Sequence, residues 1–111
     1  MTRARELSRL ITTGTFLSDA SVNSITIGRG PGNVSSNTVA GYQALYSNAS
    51  GSGTNNTAIG RDTLYTNTSG SSNTALGRDA LHFNTTGGSN TANGYQALRA
   101  NTTGSNNVAT G

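Results

Sequence analysis

The sequence predicts an all-β fold: a repetitive parallel β-solenoid or β-roll, assembled as a trimeric fibre and preceded by a short N-terminal helix. Three observations predict it. One short phrase recurs at a fixed period through most of the chain, and Gly, Asn, Ser and Thr with β-branched residues dominate that phrase. Large apolar side chains are also scarce: 32% of the 111 residues are hydrophobic and 5% aromatic, too few for a conventional monomeric core.

The elements follow in order. Residues 1–20 are read as an attachment segment. In TRARELSRLI, Thr2 to Ile11, the side chains of Ala4, Leu7, Leu10 and Ile11 share one helical face, with a Thr at the cap and Thr-Thr-Gly as the stop. A short amphipathic helix is expected. Arg3, Arg5 and Arg9, together with Leu7, Leu10 and Ile11, would make it a basic anchor that docks in a groove on a partner protein. Residues 21–36 (SVNSITIGRGPGNVSS) read as a degenerate capping coil, in which SITIG alternates like a strand, Gly28 matches the later repeat glycine and Pro31 between glycines forces a turn.

Residues 37–111 carry the repeat. The step NxxxG occurs at Asn37, Asn56, Asn73, Asn90 and Asn107, at intervals of 19, 17, 17 and 17 residues. The two additional residues of the first interval fall in SGSGTN and mark a surface turn. A second phrase follows each glycine: YQALYSNASG from Tyr42, RDTLYTNTSG from Arg61, RDALHFNTTG from Arg78 and YQALRANTTG from Tyr95. A period of 17–19 is too short for two packed helices and suits one coil of short strands and tight turns. Each coil adds about 4.8 Å by strand pairing.

Strand alternation places Ala58, Ala75, Ala92 and Ala109 on one face and Ile59, Leu76, Asn93 and Thr110 on the other. The constant alanines predict a narrow interior, the variable file a surface or interchain groove. Leu45, Leu64, Leu81 and Leu98, with Ala58, Ala75 and Ala92, are the expected core of coil and trimer. At about 25 cal/mol per Å² one coil gains only a few kcal/mol before conformational entropy, which favours three chains sharing a core. The repeated asparagines are expected to stack as amide ladders.

Function classes narrow by residue type. The chain has no cysteine and one histidine, so thiolate sites and a single-chain histidine metal cluster are excluded, and no cofactor is expected. The net charge of +3 comes from arginine alone, and three of the seven arginines lie in the first ten residues, not along the body as a nucleic-acid-binding face requires. No apolar run has the length of a membrane span or signal core, so neither insertion nor export by the usual route is expected.

No catalytic residue is assigned. His82 occupies a slot that holds Tyr46, Tyr65 and Arg99 in the other copies, and a general base needs a fixed, positioned partner. Asp62 and Asp79 become Gln43 and Gln96 in the flanking copies, which opposes acid-base work; staggered Arg-Asp pairing with Arg61 and Arg78 between coils or chains is expected instead. Gly28 to Gly32 (GRGPG) lacks the GK(S/T) ending of a phosphate loop. Asn-x-Ser/Thr triplets such as Asn67-Thr68-Ser69 are products of the repeat.

The phrases NTA(I/L)G, (RD/YQ)AL and NTTGSSN, over Asn37 to Gly111, closely resemble the repeats of bacteriophage tail-fibre proteins, particularly those of marine phages. TRARELSRLI is similar to the TRAxxLxxL start of fibre proteins from cyanobacterial and related marine phages. SITIG, Ser24 to Gly28, is similar to the coils of trimeric autotransporter head β-rolls. The resemblance implies a structural, non-enzymatic homotrimer in the virion. Its N-terminal segment would dock to a tail adaptor or other tail protein, and a distal part not present here would reach the host receptor. Because the chain stops at Gly111 in mid-repeat, it is expected to be the virion-proximal part of a longer protein. The competing reading is a trimeric adhesin or an ice- or glycan-binding β-solenoid, against which the threonine files look interrupted and lack paired Thr-x-Thr columns.

Overall fold

In the computed structural model, which describes residues 20–49 and 51–111, each Asn-Thr-Ala step of the repeat opens a strand. Seven short strands form one sheet: β1 (Ala20–Val22), β2 (Ile25–Gly28), β3 (Thr38–Gly41), β4 (Thr57–Ile59), β5 (Thr74–Leu76), β6 (Thr91–Asn93) and β7 (Val108–Thr110). Their spatial order is their chain order. From β3 to β7 every pairing is parallel and in repeat register: Ala58 opposes Ala75, and Ala75 opposes Ala92. The chain therefore winds through four turns of a β-solenoid, and the described residues are all-β with no helix. The anchor residues Arg3, Arg5, Leu7, Arg9, Leu10 and Ile11, with the expected helix, lie outside the described residues.

Residues 21–36 do not form a shortened copy of the coil. β1 and β2 make an antiparallel hairpin, and β2 pairs antiparallel with β3, so Gly28 opposes Val39 and not Gly41. The cause is local: Asn23 and Ser24 both take positive φ, 50° and 68°, the two-residue turn that reverses a strand most tightly. The following loop folds over the end of the stack. A methyl group on Gly30 would sit 3.2 Å from Val39 Cγ2, and one on Gly32 would strike the Asn48 carbonyl at 2.7 Å. The glycines of GRGPG thus serve close packing over the first coil.

Inside the stack each coil contributes one small residue from the strand and one leucine from the turn. Val39, Ala58, Ala75 and Ala92 line the strand side, and Leu45, Leu64 and Leu81, all at 0% exposure, fill the rest. Ala44, Ala80 and Ala97 pack beside them. The leucines point inward because the backbone bends sharply there: Leu45, Leu64, Leu81 and Leu98 have φ between 50° and 56°. That left-handed conformation costs roughly 1–2 kcal/mol, against about 1.5–3 kcal/mol from burying a leucine. The leucine therefore does little more than offset its own backbone, and cohesion must come from elsewhere.

Hydrogen bonds supply it. Asn56, Asn73, Asn90 and Asn107 each donate their backbone N–H to the side-chain oxygen of the asparagine one coil earlier, at 2.8–2.9 Å. The side-chain amides of Asn37, Asn56, Asn73 and Asn90 reach the carbonyls of Gly53, Gly70, Gly87 and Gly104. A second file is an amide-to-amide ladder, with Asn67 donating to Asn48, Asn84 to Asn67 and Asn101 to Asn84. Asn67 and Asn84 also bond the Gly70 and Gly87 carbonyls, so the two files converge on one oxygen per coil. Buried amides that are fully paired in this way specify the register strongly.

Glycine after the strand is a steric requirement. Gly77 has φ +123°, and a methyl group there would lie 2.6 Å from the Gly94 carbonyl oxygen of the next coil. At the longer first turn, by contrast, Gly51 has open space around it, while Gly53, Thr54 and Asn55 in the same turn still bond to neighbouring coils.

Candidate functional site

The turn that follows each strand carries nearly all the distinctive chemistry. In Gly41-Tyr42-Gln43-Ala44 the Ala44 N–H donates to the Gly41 carbonyl, and the same bond closes at Ala80 and Ala97. Gln43, Asp62, Asp79 and Gln96 have φ of 54–59°, the left-handed third position of a type II turn. Parallel stacking turns each turn position into a file along the solenoid axis. One file is Tyr42, Arg61, Arg78 and Tyr95; the next is Gln43, Asp62, Asp79 and Gln96; the third, just past the leucine, is Tyr46, Tyr65, His82 and Arg99.

In the third file the rings of Tyr46 and Tyr65 stack with centroids 5.1 Å apart and planes 3° from parallel, and Tyr65 stacks on His82 at 5.2 Å and 6°. Phe83 meets His82 edge-on at 4.6 Å, and the Arg99 guanidinium lies 4.8 Å from the Phe83 ring centre. In the first file Arg61 lies over Tyr42 at 5.6 Å and Arg78 over Tyr95 at 5.9 Å. These are cation–π distances.

Each arginine also pairs with the aspartate beside it: Arg61 Nε to Asp62 Oδ2 at 3.1 Å, and Arg78 Nε to Asp79 Oδ2 at 3.4 Å. The pairs are therefore not staggered between coils. In-register stacking sets Asp62 beside Asp79 in one file and Arg61 beside Arg78 in another, and these two arginines each meet the aspartate that follows them in sequence. His82 Nδ1 lies 3.4 Å from Asp79 Oδ1 and 3.2 Å from the Asp62 carbonyl oxygen. Both of these oxygens accept, so the tautomer that suits this site is the one in which Nδ1 donates. In the preceding coil Tyr65 replaces His82, no donor reaches the equivalent carboxylate oxygen, and Asp62 Oδ1 is buried without a partner.

This arrangement brings together residues that the sequence treats as unrelated. His82 does have a positioned carboxylate, three residues upstream in its own turn, and the aromatic file is continuous across coils; the file is not visible without the stacking register. The signal that carries the file is the period itself, since residues 17 apart, such as Tyr65 and His82, become neighbours. Among the described residues no group of three or more His, Cys, Asp or Glu side chains is placed to hold a metal ion, and no helix is long and apolar enough to cross a membrane.

The sheet's outer face differs. Thr38, Thr57, Thr74 and Thr91 form an uninterrupted file that ends at Val108, beside a second file of Ala40, Ile59, Leu76, Asn93 and Thr110. The threonine file is thus continuous over four coils, but its companion is not threonine. Ile25, Ile27 and Ile59 are 47%, 52% and 42% exposed, in contrast to the fully enclosed leucines. The chain matches no family model, no curated protein and no solved structure.

Proposed function

We propose that this chain is a structural rod: a shaft segment of a bacteriophage tail fibre that docks to the tail through residues 1–20 and extends towards the host surface. The reading is supported by the resemblance of the repeat phrases and, above all, by one observation. Successive coils make the same hydrogen bonds with the same partners, so each copy lengthens the molecule by a constant step. A stack of that kind needs no ligand to be useful, and its length is set by repeat number. No enzymatic role is assigned.

Three copies side by side remain the proposed assembly, with a changed physical basis. The leucines are enclosed by their own coil, so a shared leucine core is not what would join the chains. The exposed Ile25, Ile27 and Ile59 on the outer sheet face supply apolar surface for that contact. Sedimentation velocity and cross-linking of the purified chain are expected to give an elongated trimer; a compact monomer would sink the assembly. Deleting residues 1–11 is expected to abolish incorporation into particles, and normal incorporation would remove the docking role of Arg3, Arg5 and Arg9.

A further inference from the structure

The arginines of the turn files face outward, and the carboxylates that neutralise them do not. The side chains of Arg61 and Arg78 are 59% and 57% exposed, whereas those of Asp62 and Asp79 are 16% and 11% exposed. Each pair is formally neutral, yet the surface it presents is cationic. Nε of each guanidinium is engaged by its own aspartate, which fixes the plane of the group and leaves the terminal nitrogens as outward donors. Arg61 leans on Tyr42 in the coil before and Arg78 on Tyr95 in the coil after, so the two like charges on successive coils are held apart. Arg99 adds a third cation on the same turn, held against Phe83.

Around these cations lie half-exposed aromatic side chains: Tyr42 at 43%, Tyr46 at 51%, Phe83 at 40% and Tyr95 at 61%. With roughly 200 Å² per aromatic side chain, they present on the order of 400 Å² of aromatic surface, as large as the patches that mark binding sites on monomers. Tyrosine and arginine are also the residue types that dominate binding hot spots.

We infer that this edge of the solenoid binds an anionic polysaccharide lying along the axis, its carboxylate or sulfate groups taken by Arg61, Arg78 and Arg99 and its hydroxyls by the Tyr46, Tyr65 and His82 file. Charge selects an anion, because the donors that face outward are guanidinium groups. The ring geometry selects a sugar chain over single-stranded nucleic acid. Tyr65 has Tyr46 stacked on one face and His82 on the other, and Tyr42, Tyr95 and Phe83 each have an arginine over the ring, so the edge presents hydroxyl, nitrogen and guanidinium donors more than open ring faces on which a base could stack. The inference is independent of the fibre reading, since it concerns one edge of the solenoid whatever the rod belongs to.

The repeat itself provides a fold-preserving control. Two coils of this chain carry Tyr-Gln where two carry Arg-Asp, on the same backbone conformation. The combined variant Arg61→Tyr, Asp62→Gln, Arg78→Tyr, Asp79→Gln therefore removes the cations by adopting a phrase the fold already uses. Binding of the full chain to polygalacturonate, dextran sulfate, neutral dextran and oligothymidylate is measured by affinity electrophoresis and calorimetry, with circular dichroism as the check on folding. The expected result is salt-sensitive binding of one or both anionic polysaccharides, weakened about tenfold or more in the combined variant and again by Arg99→Gln, with no binding of neutral dextran. Failure of both anionic polysaccharides to bind, binding that ignores the Tyr-Gln exchange, equal binding of neutral dextran, or preference for oligothymidylate would each overturn it. Sedimentation of the same variant separates the two proposals, because a rod that keeps its shape and loses the polysaccharide bears only on this edge.

Discussion

The inner and outer walls of the solenoid share the same three-residue strands and obey different rules. Along the inner wall alanine repeats without exception from Ala58 to Ala92, all at 0% exposure, while the next residue outward runs through Ile59, Leu76 and Asn93. The same contrast separates the enclosed Leu64 and Leu81 from the neighbouring file of Tyr65 and His82. What differs is closure. An inward side chain meets its own coil and both adjacent coils at distances set by strand pairing, so volume and hydrogen-bonding capacity are fixed. An outward side chain meets its file neighbours and the nearest residues of its own turn and is open to solvent beyond them, so tyrosine, histidine and arginine are all accommodated there.

That contrast can be broken most strongly at a leucine. Leu81→Asp places a carboxylate in the closed interior, with an expected loss above about 4 kcal/mol. The left-handed backbone suits aspartate better than leucine, so a chemical-denaturation midpoint equal to that of the parent would refute the enclosed leucine file. Asn84→Ala is expected to cost about 2–3 kcal/mol, because it removes two donors and an acceptor and leaves the Asn67 oxygen and the Asn101 amide without ladder partners in a buried channel. A cost under about 0.5 kcal/mol in the same denaturation would show that the ladder does not hold the stack. At the outer wall Ile59→Asn imitates Asn93, which holds the same file position two coils further on, and is expected to change coil stability by less than about 0.5 kcal/mol in dilute solution. Sedimentation of that variant at high concentration should show weaker self-association, and unchanged association would exclude this face from the contact between copies.

Much of this was legible in the chain. The 17-residue period, the inward alanines and the stacked asparagines follow from spacing and residue type alone. The hairpin was not, because SITIG and its glycine match the repeat in pattern, whereas strand direction was decided by two positive-φ residues, Asn23 and Ser24, just upstream. Nor did the pattern reveal that four leucines adopt a conformation uncommon for leucine, since that bend is imposed by closing a narrow coil. The site was the least legible part. His82, Asp79 and Tyr65 looked interchangeable because other copies hold different residues in their slots, whereas the Tyr65–His82 stack exists only between coils and the His82–Asp79 contact depends on how a single turn bends.

By itself, the sequence determined the length of the coil, the residue types that face inward and the amides that pair, because those depend on alternation and on a period the chain repeats. Only the tertiary structure decided the antiparallel pairing of β2 with β3, the left-handed bend at each leucine and the edge where arginine, tyrosine and histidine gather. Those features depend on which coil lies next to which. Contacts between residues 17 apart form only when the coil closes and the next one stacks on it in register.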